Sequence, residues 1–315
     1  MSLSKVLPDE KVVVLGSHSG RNRYKDVAIR VLHGMGAAVS YVEVDNPHRI
    51  AASALPSLGA AALLVDLTHS HDPVIRQLGR DGLRTLVAVE TPEILLRMLP
   101  QESDKARVQH AQNCIRAAKT MRVTSPAGTD FEVALGELSG NCQYGFSDEP
   151  GHWDQCPGAF VVTHSNDHSA QGTVVIDAGD IMFPQKEYVN TPITLRLENG
   201  YIAAIEGGSD AKLMKATLDA YRNPEVFAVS HLGWGLSRNS RWDALNFFDK
   251  AEIEGQDGRG HLGNFLFSTG PNLSGGGTRR APMHLDIPLA GCSVFLDGKP
   301  MVLDGDVVCP EQRPN

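Results

Sequence analysis

The chain has 315 residues, long enough to bury a substantial core in two domains or one large one. Its 29 Lys and Arg against 37 Asp and Glu give a formal net charge of -8, and no stretch gathers basic residues as a phosphate-tracking surface would, so nucleic acid is excluded as an expected partner. The hydrophobic share of 42% leaves out 31 glycines and is that of a globular chain, and no apolar run approaches the roughly 18 residues that span a bilayer.

The opening MSLSKVLPDEK has no apolar core of the kind a secretion signal carries, so a cytoplasmic protein is expected. KVVVLG (Lys11 to Gly16) reads as a buried strand. Asn22 to His33 reads as a helix with Val27, Ala28, Val31 and Leu32 on one face. AVSYVEV (Ala38 to Val44), AALLVDL (Ala61 to Leu67) and TLVAVE (Thr85 to Glu90) repeat the strand signal with helix-length segments between most of them. This alternation predicts an α/β domain, a parallel sheet with flanking helices, whose ligands sit beyond the carboxyl ends of the strands. Thr68, His69, Ser70 and His71 fall there.

A longer helix is predicted from Glu102 to Met121, where Val108, Ala111, Ile115 and Ala118 recur at helical spacing. Beyond it the strands shorten and turn signals separate them: SPAGTD (Ser125 to Asp130), ENG (Glu198 to Gly200), LDGK (Leu296 to Lys299) and LDGD (Leu303 to Asp306). Asn-Gly and Asp-Gly between alternating hydrophobics mark hairpins, because both residues tolerate positive φ. The second part therefore reads as an α+β, largely antiparallel domain with a helix at Ser209 to Tyr221. The expected domains are residues 1–121 and 122–315, the second carrying the metal site. SGGGTRR (Ser274 to Arg280) reads as a flexible hinge or lid.

Five cysteines, Cys114, Cys142, Cys156, Cys292 and Cys309, form an odd set without a CxxC pair. Neither a disulfide framework nor a zinc knuckle is expected, so they read as small buried hydrophobes and any metal as held by nitrogen and oxygen. MHLDIPL (Met283 to Leu289), if a strand, projects His284 and Asp286 from one face about 7 Å apart along the chain. His231, in SHLGWG, follows the strand-like VFAVS and precedes two glycines that permit tight turns. Two imidazoles and one carboxylate would cover one face of an octahedral ion and leave three positions open, the arrangement of non-heme Fe(II) oxygenases. The spacing alone is equally that of a strand-end hydrogen bond.

Longer motifs change this reading. VAVETPEILLRMLP (Val87 to Pro100), SDEPGHWD (Ser147 to Asp154), DAGDIMFP (Asp177 to Pro184), SHLGWGL (Ser230 to Leu236), GNFLFSTGPN (Gly263 to Asn272), HLDIPL (His284 to Leu289) and DGDVV (Asp304 to Val308) occur in order over nearly the whole chain. In them the chain resembles the iron-dependent 2,5-dihydroxypyridine 5,6-dioxygenases of nicotinate breakdown, distant structural relatives of the aminopeptidase T group. The resemblance implies that His231, His284 and Asp286 bind Fe(II), that a hydroxylated pyridine is opened to N-formylmaleamate with both atoms of O2 incorporated, and that the enzyme is a homo-oligomer.

The chain also departs from that pattern. Gln143, before Tyr144, stands where the family carries a glutamate, and Gln155, after Trp153 and Asp154, where it carries a histidine. A glutamine amide orients a ring through hydrogen bonds but accepts no proton near neutral pH, so either another base substitutes or the substrate differs. His71 is the first candidate base, because it matches a histidine of the family. Glu90 is a proton relay or the first-turn carboxylate of the next helix. His152, His164 and His168 are further candidates. Trp234, Phe265 and Phe267 are read as ring-stacking or core residues, and Arg279 and Arg280 as caps of the glycine loop or a lure for an anion. Two other functions stay open: an aminopeptidase T-like metallopeptidase, which needs two ions about 3.5 to 4 Å apart with bridging carboxylates, and a non-catalytic small-molecule binding homologue.

Overall fold

The structure, a computed structural model, describes residues 3–17 and 24–314. Strands β1 (Lys11–Ser17), β2 (Ala38–Val44), β3 (Leu63–Asp66) and β4 (Arg84–Ala88) alternate with helices α1 (Lys25–Gly34), α2 (Leu55–Gly59) and α3 (Pro73–Arg80). Helices α4 (Pro92–Arg97) and α5 (Glu102–Ala117) follow. Next come β5 (Thr120–Thr124), β6 (Asp130–Ala134), β7 (Gly140–Gln143), β8 (Trp153–Cys156), β9 (Phe160–His164) and β10 (Gln171–Ile176). The short β11 (Ile181–Met182) and β12 (Glu187–Tyr188) lead to β13 (Ile193–Glu198), β14 (Tyr201–Gly207), helix α6 (Ser209–Ala220) and β15 (Val229–Gly235). One turn of helix, α7 (Gln256–Arg259), precedes β16 (Phe265–Thr269), β17 (Leu285–Leu289), β18 (Ser293–Leu296), β19 (Lys299–Leu303) and β20 (Asp306–Val307).

Two compact units result. The first comprises Met1–Gln101, Gln143–Gly158 and Asp249–Glu254, and the second Glu102–Cys142, Ala159–Phe248 and Gly255–Asn315. This differs from a single boundary at Met121, for two reasons. Residues Trp153 to Cys156 return to the parallel sheet alongside Thr85 to Ala88, an addition that no local pattern announces. Helix α5 belongs with the second unit, where it packs against β9 and where Arg107 donates to the Leu236 and Gln312 carbonyls.

The first unit is the expected α/β layer, a parallel sheet in the order β2-β1-β3-β4-β8. In β1, Val13 and Leu15 join Leu58, Leu64 and Ile75, while Val12 and Val14 join Leu32, Leu63 and Leu67. Burial on both faces is why this strand reads as a continuous apolar run. Strand order reverses between β1 and β3, which makes the carboxyl end of β3 a crevice of the ligand-binding kind. Helix α1 begins at Lys25, and the expected start at Asn22 lies outside the described residues.

The second unit is largely antiparallel, as expected. One sheet has the order β14-β13-β10-β6-β5-β18-β19-β20 and another β17-β16-β15-β9-β7. The predicted hairpins sit at Asn199 and Gly200 (φ +50 and +80°), Asp297 and Gly298 (+48 and +78°), and Asp304 and Gly305 (+48 and +88°). Paired positive φ values match the twist of the flanking strands. Helix α5 stops at Ala117, because Thr120 and Met121 already pair with Ala134 and Val133.

The glycine segment is no free lid. Asn272 reaches Asp167 and accepts from the Arg279 amide, and the Arg279 guanidinium bonds Asp167 and the Gly270 and Val229 carbonyls. Arg279 is thus the cap of this loop. Four of the five cysteines are buried and all are free thiols. Burial pushes the Cys156 and Cys292 thiols up to about 12. At pH 8 the thiolate is then only about one part in ten thousand. Iodoacetamide is expected to leave both unmodified in folded protein and to label them on denaturation, as peptide mass spectrometry would show. Labelling of either in the native state contradicts this packing.

Candidate metal centre

The site grows from the sheet β17-β16-β15-β9-β7. His231 lies in β15, paired with His164 of β9. Asp286 lies in β17, opposite Ser268 of the intervening β16, and His284 immediately precedes β17. Between Val229 and Leu232 the β15–β16 register shifts. There the Ser268 hydroxyl accepts from the His231 amide and donates to the His231 carbonyl, both at 2.8 Å. A fully buried hydroxyl thus replaces the missing ladder bonds and fixes where the His231 ring leaves the strand.

The glycines after His231 are not turn residues, as the sequence suggested. Gly233 is mid-strand, and a Cβ there would fall 1.8 Å from the Val161 carbonyl oxygen. Glycine is required by the close approach of β9, not by a turn.

Three donor atoms converge. His231 Nε2 lies 3.0 Å from His284 Nε2 and 3.1 Å from Asp286 Oδ1, and His284 Nε2 lies 3.0 Å from the same oxygen. A closed triangle is poor hydrogen bonding, because a ring N–H points along one direction only. It suits a ligand set well: with metal–ligand bonds of about 2.1 Å, donors on one octahedral face are separated by about 3.0 Å, whereas tetrahedral donors stand about 3.4 Å apart. Among the described residues no other His, Cys, Asp or Glu donor joins this group.

Asp286 also accepts from Arg259 Nε at 3.0 Å through its second oxygen, and the guanidinium lies over the Phe183 ring, 4.0 Å from its centroid. Burial alone would raise the Asp286 carboxyl, but His284, His231 and Arg259 together hold it well below the usual range. Burial pushes the His231 imidazole down despite Asp286, so its ring is neutral and able to donate a lone pair. His164 packs edge-on against His231, but its own nitrogens face the Ser139 carbonyl (3.0 Å) and the Ser274 hydroxyl (3.2 Å).

Trp234, two residues beyond the Leu232 pairing with Thr163, is not a stacking platform. It is fully buried and donates to Gln312 Oε1 at 3.0 Å. Strand alternation explains it: Leu232 and Trp234 project from the face of β15 opposite to His231. Phe265 and Phe267 are likewise core, packed on Phe131.

The remaining expected residues, apart from His168, belong to the first unit. Asp66 accepts from the Thr68 amide and hydroxyl and the Ser70 amide, which fixes the loop carrying His71. The His71 ring stacks on His48 and tilts against His69, at centroid distances of 5.5 and 4.6 Å. Loss of hydration and the two neighbouring imidazoles push it down to about 4. His71 is therefore neutral at pH 7, a hydrogen-bond acceptor more than a holder of protons. Glu90 is buried and accepts from the Glu254 amide at 3.0 Å. Gln143 Oε1 and Gln155 Nε2 are buried and make no hydrogen bond among the described residues, the state of groups that a ligand or water satisfies. His152 is tied to Asp154 at 3.1 Å, and Asp154 in turn accepts the Tyr144, Gly145 and Phe146 amides. His168 is exposed at φ +63°.

Sequence reasoning missed Arg259 and Ser268. Replacing Ser268 by Ala strands two backbone groups of His231 and is expected to cost about 1–3 kcal/mol of stability. It should also weaken metal retention, measured by chelator competition on the folded variant. Retention equal to wild type would separate Ser268 from the site.

Comparison with known proteins agrees with the motifs. The family model NicX, 2,5-dihydroxypyridine 5,6-dioxygenase, matches residues 1–309. Over 331 aligned positions the chain is 40% identical to the 2,5-dihydroxypyridine 5,6-dioxygenase of Pseudomonas putida KT2440, covering 99% of this chain and 95% of the relative. The solved structure of 2,5-dihydroxypyridine dioxygenase from that organism is similar with a TM-score of 0.93, over 99% of this chain and 95% of that one. Wild-type AmpT from Thermus thermophilus matches with a TM-score of 0.66 at 12% identity over 96% and 95% of the two chains, a likeness of fold alone.

Proposed function

The chain belongs to the 2,5-dihydroxypyridine 5,6-dioxygenase family, and from that premise we propose that it is a mononuclear non-heme Fe(II) ring-cleaving dioxygenase of a dihydroxypyridine or a closely related hydroxylated heteroaromatic. The observation that carries the metal assignment is the triangle of His231 Nε2, His284 Nε2 and Asp286 Oδ1, with sides of 3.0 to 3.1 Å. Two neutral imidazoles and one carboxylate suit Fe(II) and leave one positive charge on the centre. Bound there, Fe(II) supplies the electron-rich ion at which an ionised ring oxygen and O2 react, and N-formylmaleamate, the dihydroxypyridine plus both oxygen atoms, is the product such an enzyme forms from 2,5-dihydroxypyridine.

This chain's own residues set the conditions. Asp286 stays ionised across the working pH range because Arg259 and the two histidines hold its carboxyl low. The contact of Arg259 Nε with Oδ2 leaves Oδ1 facing the histidines. For ring orientation we propose the amide groups of Gln143 and Gln155, and for proton transfer His71 and Glu90. His71→Ala is accordingly expected to lower turnover more than iron content.

No second ligand group of the kind a two-ion peptidase requires accompanies the triad among the described residues. Metal analysis of protein purified without oxygen, followed by oxygen-electrode traces with a panel of hydroxypyridines, tests the reading. One iron per chain and substrate-dependent oxygen uptake are expected. Two zinc or cobalt ions per chain would indicate a peptidase, and a filled iron site with no oxygen uptake on any hydroxypyridine would defeat the substrate class.

A further inference from the structure

Helix α5 and the turn at Pro310–Gln312 bring together a second set of metal-binding side chains that plays no part in the site above. Donor atoms of His110, Cys309 and Glu311 all lie within 4.8 Å of one another. Cys114, one helical turn after His110, stands outside that mutual set but places its Sγ 3.7 Å from His110 Nδ1. Across from them, Cys309 Sγ lies 3.4 Å from Glu311 Oε2. We propose that His110, Cys309 and Glu311 form the core of a structural site for a zinc-class divalent cation, which draws in Cys114 from beside His110 as its fourth donor and ties the turn at Pro310–Gln312 to helix α5.

The two measured edges, one on each side of the site, fit such an ion. Zinc bonds of about 2.3 Å to sulfur and about 2.1 Å to nitrogen or oxygen put tetrahedral sulfur–nitrogen and sulfur–oxygen edges at about 3.6 Å. The observed 3.7 and 3.4 Å lie on either side of that value. Spacing of four residues on a helix sets His110 and Cys114 on one face, and the Cys-x-Glu run presents its two donors from one short turn. The surroundings are already organised: Gln312 is fully buried, with Nε2 directed at Cys114 Sγ (3.8 Å) and Met301 Sδ (3.7 Å) and Oε1 held by Trp234. Glu311 is exposed and His110 half-buried, so the ion has a path from solvent. A thiolate, a carboxylate and an imidazole, joined by the Cys114 thiolate on binding, would close a sulfur-containing set, unlike the nitrogen and oxygen donors of the triad. The sequence reading, with any metal held by nitrogen and oxygen, did not anticipate this cluster, because Cys309 is brought to His110 only by the fold.

Sulfur gives the test its readout. The full-length chain, stripped of metal and kept reduced under anaerobic conditions, is titrated with Co(II) alone. Wild type is expected to develop thiolate-to-cobalt charge-transfer absorption that saturates by two equivalents, one for this site and one for the triad, which itself cannot give that signal. Cys309→Ser is expected to abolish it and Cys114→Ser to weaken it. His110→Ala, at a half-buried position, serves if Cys309→Ser does not fold, and should also lose the signal. Added Zn(II) should displace the cobalt band. Absence of the band in wild type, its persistence in Cys309→Ser or in His110→Ala, or full intensity in Cys114→Ser overturns the four-residue site.

Discussion

Asp286→Ala is expected to leave a folded chain that retains no iron through anaerobic purification and whose oxygen uptake on any dihydroxypyridine falls by at least about 100-fold. The magnitude follows from position: residues that merely support a ligand cost 10–100-fold when removed, and a ligand costs at least the upper end of that range. Asp286 supplies the only anionic donor of the triangle, through Oδ1 at 3.0 and 3.1 Å from the two histidines. Its loss leaves two neutral imidazoles to hold a dication beside the Arg259 guanidinium, which then repels the ion instead of being neutralised. Asp286→Asn sharpens the result. It keeps the shape and one oxygen but turns an amide N–H toward either Arg259 or the histidines, so it should fail almost as completely. Iron content by elemental analysis, with circular dichroism as the control for folding, decides the matter. Iron near one per chain in Asp286→Ala would remove the carboxylate from the proposed centre.

How much of this site could be read in the chain depends on how far apart its parts lie. His284 and Asp286 are legible because a strand repeats every two residues, so neighbours at that spacing share a face. His231 is legible only through the SHLGWGL motif, since nothing local says that β15 and β17 flank the same central strand. Ser268 acts through the β15–β16 register shift, 37 residues from His231, and register is a property of the assembled sheet. The same limit explains the boundary at Met121: the return of Trp153 to Cys156 to the parallel sheet is a long-range pairing. Trp234 shows a different limit. Its aromatic ring reads as a stacking or a core residue, and its place on the face of the strand opposite His231 makes it core, held by Gln312. The hairpins were legible to the residue because Asn-Gly and Asp-Gly encode their own backbone angles.

Arg259→Ala is expected to lower iron affinity or turnover by about 10–100-fold, the range found for groups that orient a ligand without touching the metal. In the native site both carboxylate oxygens of Asp286 are committed: Oδ1 faces the histidines and Oδ2 accepts from Arg259 Nε at 3.0 Å. Deleting the guanidinium frees the carboxylate to rotate about its Cβ–Cγ bond and removes a positive charge that holds it ionised. It also strips the cation from the face of Phe183, a loss of about 0.5–2 kcal/mol for a partly desolvated pair. Arg259→Lys separates charge from direction. An ammonium keeps the positive charge but has no planar fork to aim Nε at one oxygen, so partial recovery of iron affinity is expected, with turnover still low. The distinguishing measurement is the split between iron dissociation in a chelator competition and kcat in iron-saturated enzyme. If Arg259 aims the carboxylate, kcat stays depressed in Arg259→Lys even at saturating iron. If Arg259→Ala binds iron and turns over as wild type does, the Asp286–Arg259 pair is a fold contact with no part in the centre.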